Sequence, residues 1–213
     1  RDISTLKSPL NNNLEVKNPK TEKAPDKYKE QNITENKIYY ANYDSIQNDI
    51  MILSKEGKFK LEMLPYSMLY STLYSEGLSS IPFQKLREGK ALAYSAYSYI
   101  KSPDKRGNSF YLISYIGTQS DKTDDAISSF KGLLDDFVVT EDQFMKAKEL
   151  ILKNIENQRI IKDDIYQAYL GNRRLGLKDD PRKYVYNKVK NKKSNVVNPI
   201  SKRNCSAIST RRS

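Results

Sequence analysis

The chain has 213 residues, 38% of them hydrophobic, with one cysteine, no histidine and a formal charge of +11. That length holds one domain of ordinary size plus flanking sequence, and the hydrophobic share lies below the roughly 45–50% of a typical globular domain, so part of the chain belongs to no core. The missing histidine excludes the commonest catalytic zinc ligand, the commonest general base and every Ser/His or Cys/His pair, while the lone Cys205 excludes an intrachain disulfide and a multi-thiolate metal site.

Residues 1–36 are rich in Asn, Lys, Pro, Glu and Ser, with isolated apolar residues at no regular period, and are expected to form a flexible linker or arm. Structured sequence begins at Lys37. Two runs with β-favouring residues, 38–43 and 49–54, predict strands separated by a polar break. A helix is predicted over 65–75: Pro65 suits a first turn, Leu69, Thr72 and Leu73 share a face, and Gly77 is a natural stop. A short helix over 80–87 follows, ending near Gly89.

Residues 92–100 and 109–117 read as a paired hairpin, because the connection over 102–108, including Pro103, Asp104, Gly107 and Asn108, carries turn chemistry. Ala126, Ile127, Phe130, Leu133, Leu134 and Phe137 then recur at helical spacing, with charged residues on the opposite side. Thr140 followed three residues later by Gln143 is a capping-box sequence, opening a helix that turns Phe144, Ala147, Ile151 and Ile155 inward. Two further helices are predicted over 163–175 and 181–190. The whole predicts an α+β fold: an antiparallel-rich sheet with helices packed on one face.

From Arg182 to Ser213 there are ten Lys and Arg and no Asp or Glu, so all but +1 of the net charge belongs to that end. The body is nearly neutral. A basic tail binds polyanions without specificity at most, and residues 192–213 are expected to be an unstructured basic tail after a domain over 37–191. Cys205 sits in that tail and reads as a spectator thiol. No apolar run approaches the ~20 residues of a membrane span. Beginning at Arg1, the chain reads as a fragment or a processed product.

The run Phe83-Gln84-Lys85-Leu86-Arg87-Glu88-Gly89-Lys90-Ala91-Leu92-Ala93-Tyr94-Ser95 resembles the F-x-x-L-R-E-x-x-x-L-A-Y-S segment of C-terminal domains in insulinase/pitrilysin-like (inverzincin) zinc metalloproteases. Gly77-Leu78-Ser79-Ser80 is similar to the family's small-residue turn before the short helix. Tyr115-Ile116-Gly117-Thr118 is similar to its strand end, and Thr140-Glu141-Asp142-Gln143-Phe144 to the start of a later helix. The resemblance runs from about Ile38 to Asn191, and the wording around 92–98 and 115–119 resembles large Bacteroidetes-type members.

The resemblance implies two halves that close over a peptide. The N-terminal half would carry an H-x-x-E-H zinc motif, and the C-terminal half would lend an Arg and a Tyr seven residues apart. Arg87 and Tyr94 stand at that spacing. An arginine can pair with a peptide carbonyl or a developing oxyanion through its fork of donors, and a neutral tyrosine hydroxyl can hydrogen-bond the same region. No residue of this chain is expected to be catalytic alone or to bind metal, and zinc is expected in a partner N-terminal half. The expected partners are a peptide substrate and that zinc-bearing half, with no specific nucleic acid and no membrane span. Glu88 and the pairs Asp124/Asp125 and Asp135/Asp136 read as solvated helix faces, since adjacent carboxylates on a helix point apart. Two other readings remain: a noncatalytic structural or scaffolding subunit of the same fold, and a basic-tail polyanion binder.

Overall fold

A computed structural model describes residues 29–193, apart from Ile33, Tyr43, Glu76, Phe137 and Ile160, together with Thr5, Ser8, Pro9, Asn12 and Asn13. The chain divides into two compact units, Arg1–Asn32 and Ile33–Ser213. In the first, Thr5, Ser8, Pro9, Asn12 and Asn13 are helical, and the Asn13 side-chain amide donates to the Pro9 carbonyl at 2.8 Å. The expected arm otherwise lies largely outside the described residues. So does the basic tail beyond Lys193, Cys205 included.

The second unit carries a three-stranded antiparallel sheet in the order β1-β3-β2. β1 is Gln47–Lys58, β2 is Ser95–Lys101 and β3 is Ser109–Gln119. β2 and β3 are the predicted hairpin, in register Tyr97↔Tyr115 and Tyr99↔Ile113, and β1 pairs with the other side of β3 as Met51↔Tyr115 and Leu53↔Ile113. A bulge between Lys55 and Lys58 ends the regular ladder, where Phe59 donates its amide to Asn108 and stacks on Phe110 at 5.9 Å.

The helices are α1 (Leu64–Tyr74), α2 (Thr123–Asp135), α3 (Glu141–Asn157), α4 (Lys162–Arg174) and α5 (Pro181–Lys190). Their starts follow local chemistry. Pro65 sits in the first turn of α1. The capping box of α3 is complete: the Gln143 amide donates to the Thr140 hydroxyl at 3.3 Å, and the Thr140 amide donates to the Gln143 side chain at 3.0 Å. Asp180 caps α5 by accepting from the Arg182 amide at 2.9 Å.

Alternation along the strands places one face of the sheet against helices. α1, α3 and α5 enclose a core containing Leu69, Tyr74, Phe110, Phe144, Ile151 and Val189. A second core joins Leu86, Ala93, Ala96 and Ile116 to Ala126 and Phe130 of α2. The α+β architecture, an antiparallel sheet with helices on one face, is therefore the one predicted.

One predicted element is corrected. Ile38–Asn42, the described part of the predicted first strand, is irregular, and Ile38, Tyr39 and Tyr40 are largely exposed. Strand-forming composition is not sufficient. An isolated segment with no strand beside it leaves its amides and carbonyls to water, and no helix covers its apolar side chains.

Candidate functional site

Arg87 and Tyr94 lie at the two ends of a compact segment joining α1 to β2. Its entry is set by Ser80, which is buried and accepts a hydrogen bond from the Phe83 amide at 3.3 Å, while the Gln84 amide donates to the Ser80 carbonyl. Phe83–Glu88 then winds as a π-helical turn. Its wider loop is closed by the Gly89 amide donating to the Gln84 carbonyl at 2.9 Å. A side chain at Gly89 would meet the Lys85 and Gln84 carbonyl oxygens at 3.1 and 3.2 Å, so glycine suits the closure. π-turns are rare and recur at functional positions.

The exit is as tightly held. The Ala91 amide donates to the Arg87 carbonyl at 3.0 Å and the Leu92 amide to the Leu86 carbonyl at 2.8 Å. This reversal requires a left-handed residue, and Ala91 supplies it with φ 49, a conformation costing a non-glycine residue about 1 kcal/mol. Lys122 donates to the Ala91 carbonyl at 3.3 Å, Lys90 donates to Ser129 at 3.1 Å, and the Thr118 hydroxyl donates to the Leu92 carbonyl at 2.6 Å. Leu86 and Ala93, both buried, anchor the segment in the core under α2. The Tyr94 amide then donates to the Gly117 carbonyl at 2.8 Å, bringing the chain onto β3.

Both side chains leave this frame toward solvent. The Arg87 guanidinium lies over the Phe83 ring, 4.8 Å from its centroid, and its Nε is 4.0 Å from a Glu88 carboxylate oxygen. That exposed ion pair contributes little, and the terminal guanidinium nitrogens have no hydrogen-bond partner among the described residues. The aromatic shelf restricts the guanidinium without consuming its donors. Tyr94 is 48% exposed, and its hydroxyl accepts from the Gln119 side chain at 2.9 Å, leaving its proton free to donate. No hydrogen bond joins Arg87 to Tyr94.

Phe83 and Gln119 are site residues that the sequence reading missed. Phe83 had a local signal, four residues before Arg87 on a helical segment. Gln119 had none, because its meeting with Tyr94 depends on the β2–β3 register. Glu88, Asp124, Asp125, Asp135 and Asp136 are all exposed. Among the described residues no group of His, Cys, Asp or Glu is placed to hold a metal ion, and a chain without histidine lacks the donors a catalytic zinc takes. These donors do not fit that metal. No described helix is long and apolar enough to cross a membrane.

A family model described as the peptidase M16 inactive domain matches residues 6–151. The chain belongs to this family. Membership agrees with the resemblance to the C-terminal half of insulinase/pitrilysin-like proteases carried by residues 83–95. Solved structures repeat the M16 fold at low identity. A peptidase M16 inactive domain from Pseudomonas fluorescens is 14% identical with a TM-score of 0.62, covering 73% of this chain and 37% of that one. A protease from Helicobacter pylori is 16% identical with a TM-score of 0.58, covering 73% and 38%. A chain of Complex III2 from Candida albicans, solved with Inz-5 bound, is 14% identical with a TM-score of 0.51, covering 72% and 39%. The M16 chain described here thus spans less than two-fifths of each of these chains. No curated protein matches it.

Proposed function

We propose that this M16 domain is the peptide-binding, active-site-completing C-terminal half of a zinc metalloendopeptidase, and that Arg87 and Tyr94 are the groups it contributes. The observation that carries the reading is the segment between them. Two exposed donors stand at the ends of one run that is bonded internally, anchored by Leu86 and Ala93 and tied to β3. Donors fixed in advance are what an oxyanion or a peptide carbonyl requires, because a flexible arginine would lose side-chain entropy on each encounter. Zinc and the water-activating base belong to a partner half, since this chain has no histidine.

The test is reconstitution. The 213-residue chain alone is expected to hydrolyse no peptide. Mixed with a zinc-bearing N-terminal half it should support turnover, and Arg87→Ala and Tyr94→Phe should each lower kcat by roughly 100-fold, the lower end for losing one transition-state donor. Unchanged kcat in both variants would sink the assignment.

A second reading is a noncatalytic scaffolding subunit, favoured by the occurrence of the same fold in a chain of Complex III2. It predicts a stable complex with a partner whose activity this chain does not raise.

A further inference from the structure

The sheet face turned away from the helices is ordered in rows. Across β1, β3 and β2 they read Asp49–Gly117–Ser95, then Met51–Tyr115–Tyr97, then Leu53–Ile113–Tyr99, then Lys55–Tyr111–Lys101. An acidic row, two apolar or aromatic rows and a lysine row follow one another along about 20 Å of strand. Met51 and Leu53 are 66% and 57% exposed, and Tyr97 stacks on Tyr115 at 5.0 Å and on Tyr99 at 6.2 Å. Aromatic, methionine and leucine side chains standing together in water form the composition of a protein contact.

We infer that this face pairs with the same face of a second copy, about a two-fold axis lying between the Met51 and Leu53 rows and perpendicular to the strands. That operation reverses strand direction while keeping β1 over β1. It sets Asp49 against Lys55, Ser95 against Lys101, Met51 against Leu53, Tyr115 against Ile113, and Tyr97 against Tyr99. The face is thus self-complementary in charge and in apolar content, as a two-fold contact must be. The two sheets would pack as aligned layers about 10 Å apart, with helices on both outer sides.

The carboxylate is poised for this. Tyr115 and Gln47 both donate to its Oδ1, each at 2.6 Å, while Oδ2 has no partner among the described residues. The footprint is modest, about 300 Å², against roughly 800 Å² per partner in a stable complex, so the pairing is weak and concentration-dependent. Arg87 and Tyr94 belong to no row of this face, and the inference does not depend on their role.

The experiment is sedimentation of the full chain from about 10 µM to about 1 mM at low salt, with thermal melts confirming that every variant folds. The wild type should self-associate. Asp49→Lys alone, and Lys55→Asp with Lys101→Asp alone, should each weaken association on the order of tenfold by setting like charges together. Mixing the two variants should restore it to within about threefold of wild type, because each then meets its opposite charge. A chain that stays monomeric throughout, as when another segment or a different protein covers this face, overturns the inference. So does a dimer indifferent to Asp49→Lys, or variants that stay apart when mixed.

Discussion

The two faces of the sheet do not divide simply into apolar inside and polar outside. The buried face carries Ser98 and Ser114 at its centre, flanked by Ala96, Ile100, Leu112 and Ile116. The open face carries Met51, Leu53, Ile113 and four tyrosines. Helix α1 explains the difference. Its Tyr70 reaches into the sheet, and the hydroxyls of Tyr70, Ser98 and Ser114 form a buried chain with contacts of 2.8 and 2.7 Å. Small hydroxylated residues leave room for that ring and satisfy its oxygen, so the interior tolerates polarity because every member is bonded. On the open face no helix competes for space, and large side chains spread over one another. Which face is inside is therefore decided by what packs on it, not by summed hydropathy.

Cavity formation breaks the comparison most sharply. Ile116 is fully buried between α2 and the sheet, whereas Met51, one strand away on the opposite face, is 66% exposed. Ile116→Ala should cost about 2–5 kcal/mol in urea unfolding, from lost transfer energy plus the unfilled volume. Met51→Ala should cost less than about 0.5 kcal/mol at concentrations where the chain is monomeric, as for a surface position. Equal losses would mean that both faces are covered.

Much of this was legible beforehand where the signal is local. The hairpin followed from turn residues around Pro103 and Gly107, α2 from its helical spacing, and α3 from Thr140 and Gln143. Ile38–Asn42 misled because a strand is a property of a pair, and composition does not say whether a partner exists. The π-turn at Phe83–Glu88 was invisible for another reason. An extra residue per turn leaves no residue type behind, and only the Gly89-to-Gln84 bond reveals it. The spacing of Arg87 and Tyr94 was readable, but the exposure of both side chains, the Phe83 shelf and the Gln119 contact came from tertiary structure.

The hydroxyl chain offers a sharper probe of the inner face. Ser98→Ala removes the hydroxyl that bonds both Tyr70 and Ser114 and should cost about 1–3 kcal/mol, the range for losing a buried hydrogen-bond partner. Adding Tyr70→Phe removes the other end of the same Tyr70–Ser98 bond, so the double variant should lose less than the sum of the two single losses. Ser95→Ala, at the margin of the open face, should stay within about 0.5 kcal/mol. Full additivity across Ser98 and Tyr70 would mean that the chain of hydroxyls does not act as a unit.

The smallest effect concerns pH, and it separates the faces by kind instead of size. On the open face the Tyr115 hydroxyl, followed by the Gln47 amide, holds the Asp49 carboxyl below its ordinary 3.8, and the same bond to Asp49 is the main cause pushing the Tyr115 phenol above its ordinary 10.0. A carboxyl depressed in the folded state contributes stability above its unfolded value and loses it as pH falls through the folded one. A phenol raised in the folded state contributes below its unfolded value and loses it as pH rises through the folded one. The contact therefore contributes between those limits and fades in acid as Asp49 takes a proton. Because Asp49 is exposed, the contribution is small and salt-screened. The stability gap between wild type and Asp49→Asn should be measurable near neutral pH in low salt. It should close as pH falls below 3.8, and shrink in 0.5 M salt. The Ser98 gap should not move over the same acid range, since the bonds among Tyr70, Ser98 and Ser114 join neutral hydroxyls. Parallel movement of the two gaps would show that the faces differ only in degree of burial; a fixed Ser98 gap beside a vanishing Asp49 gap would show that one face is held by packing and the other by charge.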